Sequence, residues 1–220
     1  MKRSEINRIL RENIAFLERM NFKLPPFAAW GPEEWAAAGD EYRELREAGL
    51  GWDITDFGSG NFQKVGLFLF TLRNGIQGKR GKVYAEKIMV VEENQVTPYH
   101  FHTYKMEDII NRGGGNLLVR LYNSTAAEEL ADTPVQVSSD GRSYAVPAGT
   151  TLCLRPGESI TMLQRQYHSF WGEPGSGKVL VGEVSMANDD DADNRFLEPA
   201  GRFPDIEEDE PIFRCLVKDL

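Results

Sequence analysis

From about residue 50 onward the chain settles into a repeating rhythm of short β-rich segments broken by Gly, Pro, Asn and Asp. "KVGLFLFTLRNG", "KVYAEKIMVVEENQVTPYHFH", "NLLVRLYNS", "PVQVSSDGRSYAVPAGTTLCLRPGESITML" and "KVLVGEVSMAN" all read this way. Many short strands at turn-marked intervals bury themselves as a sandwich or a barrel. The Asp140-Gly141 pair marks a hairpin, because both residues tolerate the positive φ of a tight turn. Upstream, residues 4–22 carry Ile6, Ile9, Leu10, Ala15, Leu17 and Met20 at helical spacing, with Ser4 as the expected cap. "GPEEWAAAG" reads as a second helix with Pro32 in its first position, and "DEYRELREAGLG" as a third, capped by Asp40 and closed by Gly49. After residue 187, "NDDDADN" reads as a solvated loop or a polar lid, and "RFLEPAGRFPDIEEDEP" as an ordered meandering tail. "FRCLVK" adds a last strand. The expectation is one all-β domain over 1–220, with a helical extension over 1–49 and a β-barrel with its C-terminal tail over 50–220.

Charge narrows the partners. The net charge is -9, which argues against a nucleic-acid footprint or an anionic lipid surface, both of which need clustered basic residues. The longest apolar run, "VGLFLF", is too short to span a bilayer. The N-terminus has no apolar core of a secretion signal, so a cytoplasmic protein is expected. Cys153 and Cys215 are expected as buried, reduced thiols.

The chain has three histidines, and two of them stand one residue apart in "TPYHFHTYKMEDIINRGGG". On a strand, His100 and His102 point to one face, about 7 Å apart along the chain, and can reach one ion. Glu107 has the opposite parity. It joins them if the chain turns after His102 and returns as a neighbouring strand, which brings Lys105 to the same side. His168, in "LQRQYHSFWGE", is the remaining candidate ligand. Three imidazoles and a carboxylate suit Mn, Fe, Co, Ni or Zn rather than Ca or Mg, which prefer all-oxygen shells.

"HFHTYKMEDIINRGG" resembles the first motif of the cupin superfamily, with His100, His102, Glu107 and Gly114 matching its pattern. "RPGESITMLQRQYHSFWG" is a looser version of the second motif, with His168 eleven residues after Gly157. Cupins are small antiparallel β-barrels, or jelly rolls, with a metal inside. "AEKIMVVEENQVTPYHFHTYKMEDIINRGGGNLLVRLY" and "NDDDADNRFLEPAGRFPDIEEDEP" are similar to the bacterial D-lyxose isomerase family of cupins. The resemblance implies a homodimeric enzyme that holds a divalent metal, usually manganese. It would interconvert free sugars such as D-lyxose and D-xylulose or D-mannose and D-fructose. It assigns metal binding to His100, His102, Glu107 and His168. It also marks Lys105 and Glu198 as candidates for substrate or proton handling.

Aldose–ketose isomerisation through an enediol needs an electrophile at the sugar oxygens and an unligated base near C1 and C2. Glu198 is the expected base, and Lys105 the group that neutralises developing charge. Lys87, isolated among apolar residues in "AEKIMV", either enters the barrel or pairs with Glu86 or Glu92 at the surface. Tyr99 and Trp171 flank the ligands and are expected against the sugar's C–H faces. An Fe-dependent dioxygenase and a non-catalytic sugar-binding cupin use the same ligand set and stay open at this point.

Overall fold

The computed structural model describes residues 1–201 and 203–220, the side chains at 190 and 191 excepted. The strands are, in chain order, β1 (Gly51–Thr55), β2 (Leu67–Arg73), β3 (Tyr84–Val91), β4 (Thr97–His102), β5 (Glu107–Gly114), β6 (Leu117–Ser124), β7 (Leu130–Ala131), β8 (Val135–Ser139), β9 (Arg142–Val146), β10 (Thr151–Leu154), β11 (Ser159–Met162), β12 (Gln166–Gly172), β13 (Val179–Met186) and β14 (Asn194–Phe196). They form two antiparallel sheets. An eight-stranded sheet runs β1-β2-β3-β13-β5-β11-β8-β9, and a six-stranded sheet runs β10-β6-β12-β4-β14, with β7 beside β6. This is the expected all-β jelly-roll barrel. The Asp140-Gly141 hairpin joins β8 to β9, with φ of 49° and 80° at the two turn residues.

Two cores explain the strand sequences. Between the sheets, Met89, Val91, Ile109, Val119, Leu121 and Val181 pack together. On the other side of the large sheet, Ile6, Ile9, Leu10 and Leu17 of helix α1 (Arg3–Arg19) cover Trp52, Ile54, Phe68, Phe70, Ile88 and Val90. β3 is therefore buried on both faces, which accounts for its nearly unbroken apolar run. Alternation along it sends Ile88 and Val90 to the helix, and Lys87, Met89 and Val91 to the barrel. A charged side chain on that inward face has to find a partner inside.

The N-terminal expectations hold in outline and differ at the caps. Helix α1 starts after Lys2 with no side-chain cap, because the Ser4 hydroxyl bonds instead to Asp209 Oδ2 at 2.8 Å. Helix α2 (Pro32–Ala37) does carry Pro32 first, and Glu34 reaches back to the Gly31 N–H at 2.9 Å. The third segment splits into a 3-10 turn, Asp40–Tyr42, and helix α3 (Arg43–Glu47), with Gly39 rather than Asp40 at its cap. "FRCLVK" makes no strand: Leu216 forms one isolated bridge to Trp52 before a 3-10 turn over Val217–Asp219. Cys215 is buried, but Cys153 lies exposed, and both thiols are free. Gly114 has φ of +87°, and a Cβ there would overlap the Lys178 carbonyl oxygen, so only glycine fits the end of β5.

The tail closes over α1. Arg3, 1% exposed, donates to Glu208 at 2.7 and 2.9 Å and to Asp219 at 2.8 and 3.0 Å. Arg3→Ala would leave the Asp219 carboxylate largely buried without its counter-charge. The expected loss in urea denaturation is about 2–3 kcal/mol, less than for a fully enclosed pair because Glu208 keeps solvent contact.

Candidate metal centre

A cavity of about 300 Å³ lies between the sheets. Its six-stranded wall presents His100 and His102, and the buried His168 lies beside them on the neighbouring strand. β4 contributes His100 and His102 on one face, and β12 pairs with β4 so that His168 stands opposite His100. The three rings lie 4.2, 5.1 and 5.4 Å apart between centroids. Each can offer a ring nitrogen within 4.8 Å of the others'. The Nδ1 atom of His100 is 2.8 Å from the Pro98 carbonyl, and that of His168 is 3.0 Å from the Gln166 carbonyl. A carbonyl only accepts, so both Nδ1 atoms carry the proton. Nε2 is then the free lone pair, fixed in direction by the backbone.

The opposite wall supplies the charged groups. Glu107 opens β5, which belongs to the eight-stranded sheet. The chain does turn after His102, as expected, but it crosses to the facing sheet rather than returning as a neighbour of β4. Glu107 thus meets the imidazoles across the barrel, with Oε2 3.2 Å from His102 Nε2 and Oε1 3.2 Å from His168 Nε2. Lys105, 2% exposed, places Nζ 2.8 Å from Glu107 Oε2 and 3.0 Å from Glu183 Oε1. Lys87 also enters the barrel, opposite Glu183 in the β3–β13 register, with Nζ 3.6 Å from the same Oε1. Of the two settings open to Lys87 in the sequence, the interior one is found.

Electrostatics fit a cation site. Burial pushes His100 well below its ordinary value and lowers His102, so both imidazoles are neutral and able to ligate at neutral pH. Burial works against ionised Glu107, but the Lys105 ammonium beside it favours the carboxylate, and the carboxyl stays well below the usual range. Among the described residues, Nε2 of His102 and of His168 are buried without a hydrogen bond. Buried polar atoms left in that state are costly unless something else satisfies them. A divalent cation between the two walls would do so, and the donor set of three imidazoles and a carboxylate fits one.

Three sequence candidates are not brought together with this cluster. Tyr99 alternates with His100, so its ring faces away from the cavity and meets Tyr122 at 5.8 Å. Trp171 lies on the same outer face, under the Arg120 guanidinium at 5.2 Å. Tyr99→Phe and Trp171→Leu are expected to change substrate KM less than about threefold in steady-state assays, since neither ring reaches the site. Glu198 is exposed. The strap before it pairs as β14 with β4, which turns Asn194 and Phe196 into the cavity; Ala200 and Phe203 further along also line it, and Glu198 between them does not. The residue that sequence reasoning missed is Glu183, 5% exposed on β13. Its signal was available: it is the one acid in "KVLVGEVSMAN", and it shares parity with the inward Val179 and Val181. The acids at 190 and 191, part of the expected loop or lid, have side chains outside the described residues. The backbone of that stretch forms a short helix, α4 (Asp190–Asp193), before Asn194 opens β14.

Comparison with known proteins agrees with this geometry. A model of the D-lyxose isomerase family matches residues 1–220. The chain is 53% identical over 214 residues to a D-lyxose/D-mannose isomerase of Serratia proteamaculans, covering 96% of this chain and 94% of that protein. It is 52% identical over 219 residues to a D-lyxose/D-mannose isomerase of Escherichia coli O157:H7, with the same coverage. Among solved structures, the L-ribose isomerase of Cellulomonas parahominis with L-psicose aligns at a TM-score of 0.59 and 16% identity, over 91% of this chain and 94% of that one. The L-ribose isomerase of Acinetobacter sp. DL28 in complex with L-ribose aligns at 0.60 and 17% identity, over 90% and 93%. These two show the barrel fold.

Proposed function

Because the chain belongs to the D-lyxose isomerase family and is a sugar isomerase, we propose that it interconverts D-lyxose with D-xylulose and D-mannose with D-fructose. The proposed route is a metal-assisted enediol, and the dioxygenase and storage readings give way to it. Supporting the route is one observation: the buried Glu183 carboxylate, beside Lys105 and lining the same cavity as His100 and His102.

His100, His102, Glu107 and His168 would hold the ion, with manganese our first choice. When bound, the divalent cation supplies positive charge beside the sugar's carbonyl and adjacent hydroxyl oxygens. Glu183 is the base. It takes the proton from C2 of the open-chain aldose, the C–H electrons form the C1=C2 bond, and the C1=O pair moves onto O1 as the enediolate oxygen. Lys105, at hydrogen-bond distance from Glu183, stabilises the negative charge that develops on the sugar oxygens. O2 passes its proton to O1, its O–H electrons form the C2 carbonyl, and the C1=C2 pair takes the proton back from Glu183 at C1. Nothing is oxidised or reduced overall. Phe57, Phe196 and Phe170 make an apolar stretch of the same cavity, which excludes water from the reacting carbons.

We further propose a cytoplasmic homodimer, on the family resemblance. Among the described residues, no helix is long and apolar enough to cross a membrane. Light scattering at a mass of two chains is the expected result. The activity is tested by incubating metal-reconstituted protein with free aldoses and identifying the product. Formation of the matching 2-ketose supports the reading; no ketose from either D-lyxose or D-mannose sinks the substrate assignment.

A further inference from the structure

The turn between β4 and β5 carries Lys105 from one sheet to the other in four residues, 103–106. A linker that short has few internal hydrogen bonds, so something else has to fix its backbone. That group comes from the far end of the sequence. Asp193, 5% exposed, accepts the Tyr104 N–H on Oδ1 at 2.6 Å and the Lys105 N–H on Oδ2 at 3.0 Å. Its own carbonyl accepts the Thr103 N–H at 3.2 Å. Three consecutive amides of the turn therefore end on one residue. A carboxylate received by successive N–H groups is a strong, directional arrangement. The next residue, Asn194, pairs with His102 in the β14–β4 register and lines the cavity. Asp193 thus ties the strap over the cavity to the loop that aims Lys105.

We propose that Asp193 is a positioning residue: it holds the 103–106 backbone so that the Lys105 ammonium reaches Glu107 and Glu183 together. The inference rests on the reading above, in which Lys105 and Glu183 act on the sugar. Lys105 Nζ has 2.8 and 3.0 Å contacts to groups on two different strands. A displacement near 1 Å at its Cα breaks one of them, and misplacement of that size costs on the order of 10²-fold in rate. Asp193→Asn keeps the shape, but its amide NH2 faces one of the N–H groups that the second oxygen now receives.

The test uses the full-length, metal-loaded enzyme with Asp193→Asn and Asp193→Ala, each alone and combined with Lys105→Met. Two readouts are followed: kcat and KM, and amide hydrogen exchange by mass spectrometry. The expected result is a kcat loss of about 10- to 100-fold, with KM within about threefold. Amides of 103–106 should exchange at least about 10-fold faster, with the β5 and β12 amides unchanged. In the Lys105→Met background, Asp193→Asn should add less than about twofold, because a positioning residue has nothing left to position. Should Asp193→Ala fail to fold, Asp193→Asn carries the test alone. Wild-type kcat in a folded Asp193→Asn, or a full multiplicative loss on top of Lys105→Met, overturns the inference and leaves the role of Lys105 standing. Wild-type activity of Lys105→Met itself overturns both.

Discussion

Glu183→Gln is expected to lower kcat by about 10³-fold, within the range that a positioned general base contributes, while sugar KM and bound metal stay near wild type. The substitution removes the proton acceptor and keeps size and burial. Glu183 is not among the three histidines and Glu107 that face one another across the barrel, so metal content should survive. The neutral amide also leaves Lys105 with Glu107 as its remaining carboxylate, so the local fold keeps one ion pair. Glu198→Gln is the control. Its exposed side chain stands outside the cavity, and a change under about twofold in kcat is expected for a surface position. A loss with Glu198→Gln and none with Glu183→Gln would return the base to the tail.

Removing the metal is the second large effect. Chelation, or His102→Ala, should abolish turnover to below about 10⁻³ of wild type, because charge stabilisation by the ion is worth several kcal/mol. Adding Mn2+ back should restore the chelated wild type but not the variant. The same ion should stabilise the fold. At a hundredfold excess over Kd it adds about 2.7 kcal/mol, which in a chain this size raises Tm by roughly 5–10 °C. Calorimetry with and without Mn2+ reads this directly. The pH dependence has a definite sign. His100 and His102 have lowered values in the fold, so below their ordinary 6.5 the unfolded chain binds protons that the folded one does not. Their contribution to stability, and with it metal retention, is present above pH 6.5 and lost as pH falls toward the lowered values. A metal content that rises on acidification would contradict the assignment of neutral imidazole ligands.

How much of this could be read from sequence depends on the range of the information. Local patterns are legible: strand alternation puts His100 and His102 on one face, and the turn preference of the Asp-Gly pair marks the hairpin at Asp140-Gly141. Which sheet a strand joins is not local. β5 crosses to the opposite sheet, a choice made by pairing with β11 and β13 far along the chain. Adjacency in sequence groups Tyr99 and Trp171 with the ligands, but neighbours on a strand face opposite ways, and parity alone excludes Tyr99 from the His100 face. Glu198 was favoured because the tail matched a family pattern, while a lone acid in a doubly buried strand, Glu183, carries the stronger physical signal: burying it demands a partner. Lys87 shows the same logic, since an isolated lysine in "AEKIMV" pairs inside with that very glutamate. The Asp193 contact spans 88 residues and leaves no periodic trace in either segment.

The most direct measurement is the proton NMR spectrum of D-lyxose incubated in D2O with Mn2+-loaded wild type and with Glu183→Gln. The wild type is expected to yield D-xylulose carrying solvent deuterium at C1, because over many reversible turnovers the proton held on the Glu183 carboxyl exchanges with solvent in a share of them, and the fully metallated variant essentially none. Ketose free of deuterium after many turnovers, or a variant that converts the sugar at the wild-type rate, would contradict an enediol route with Glu183 as its base.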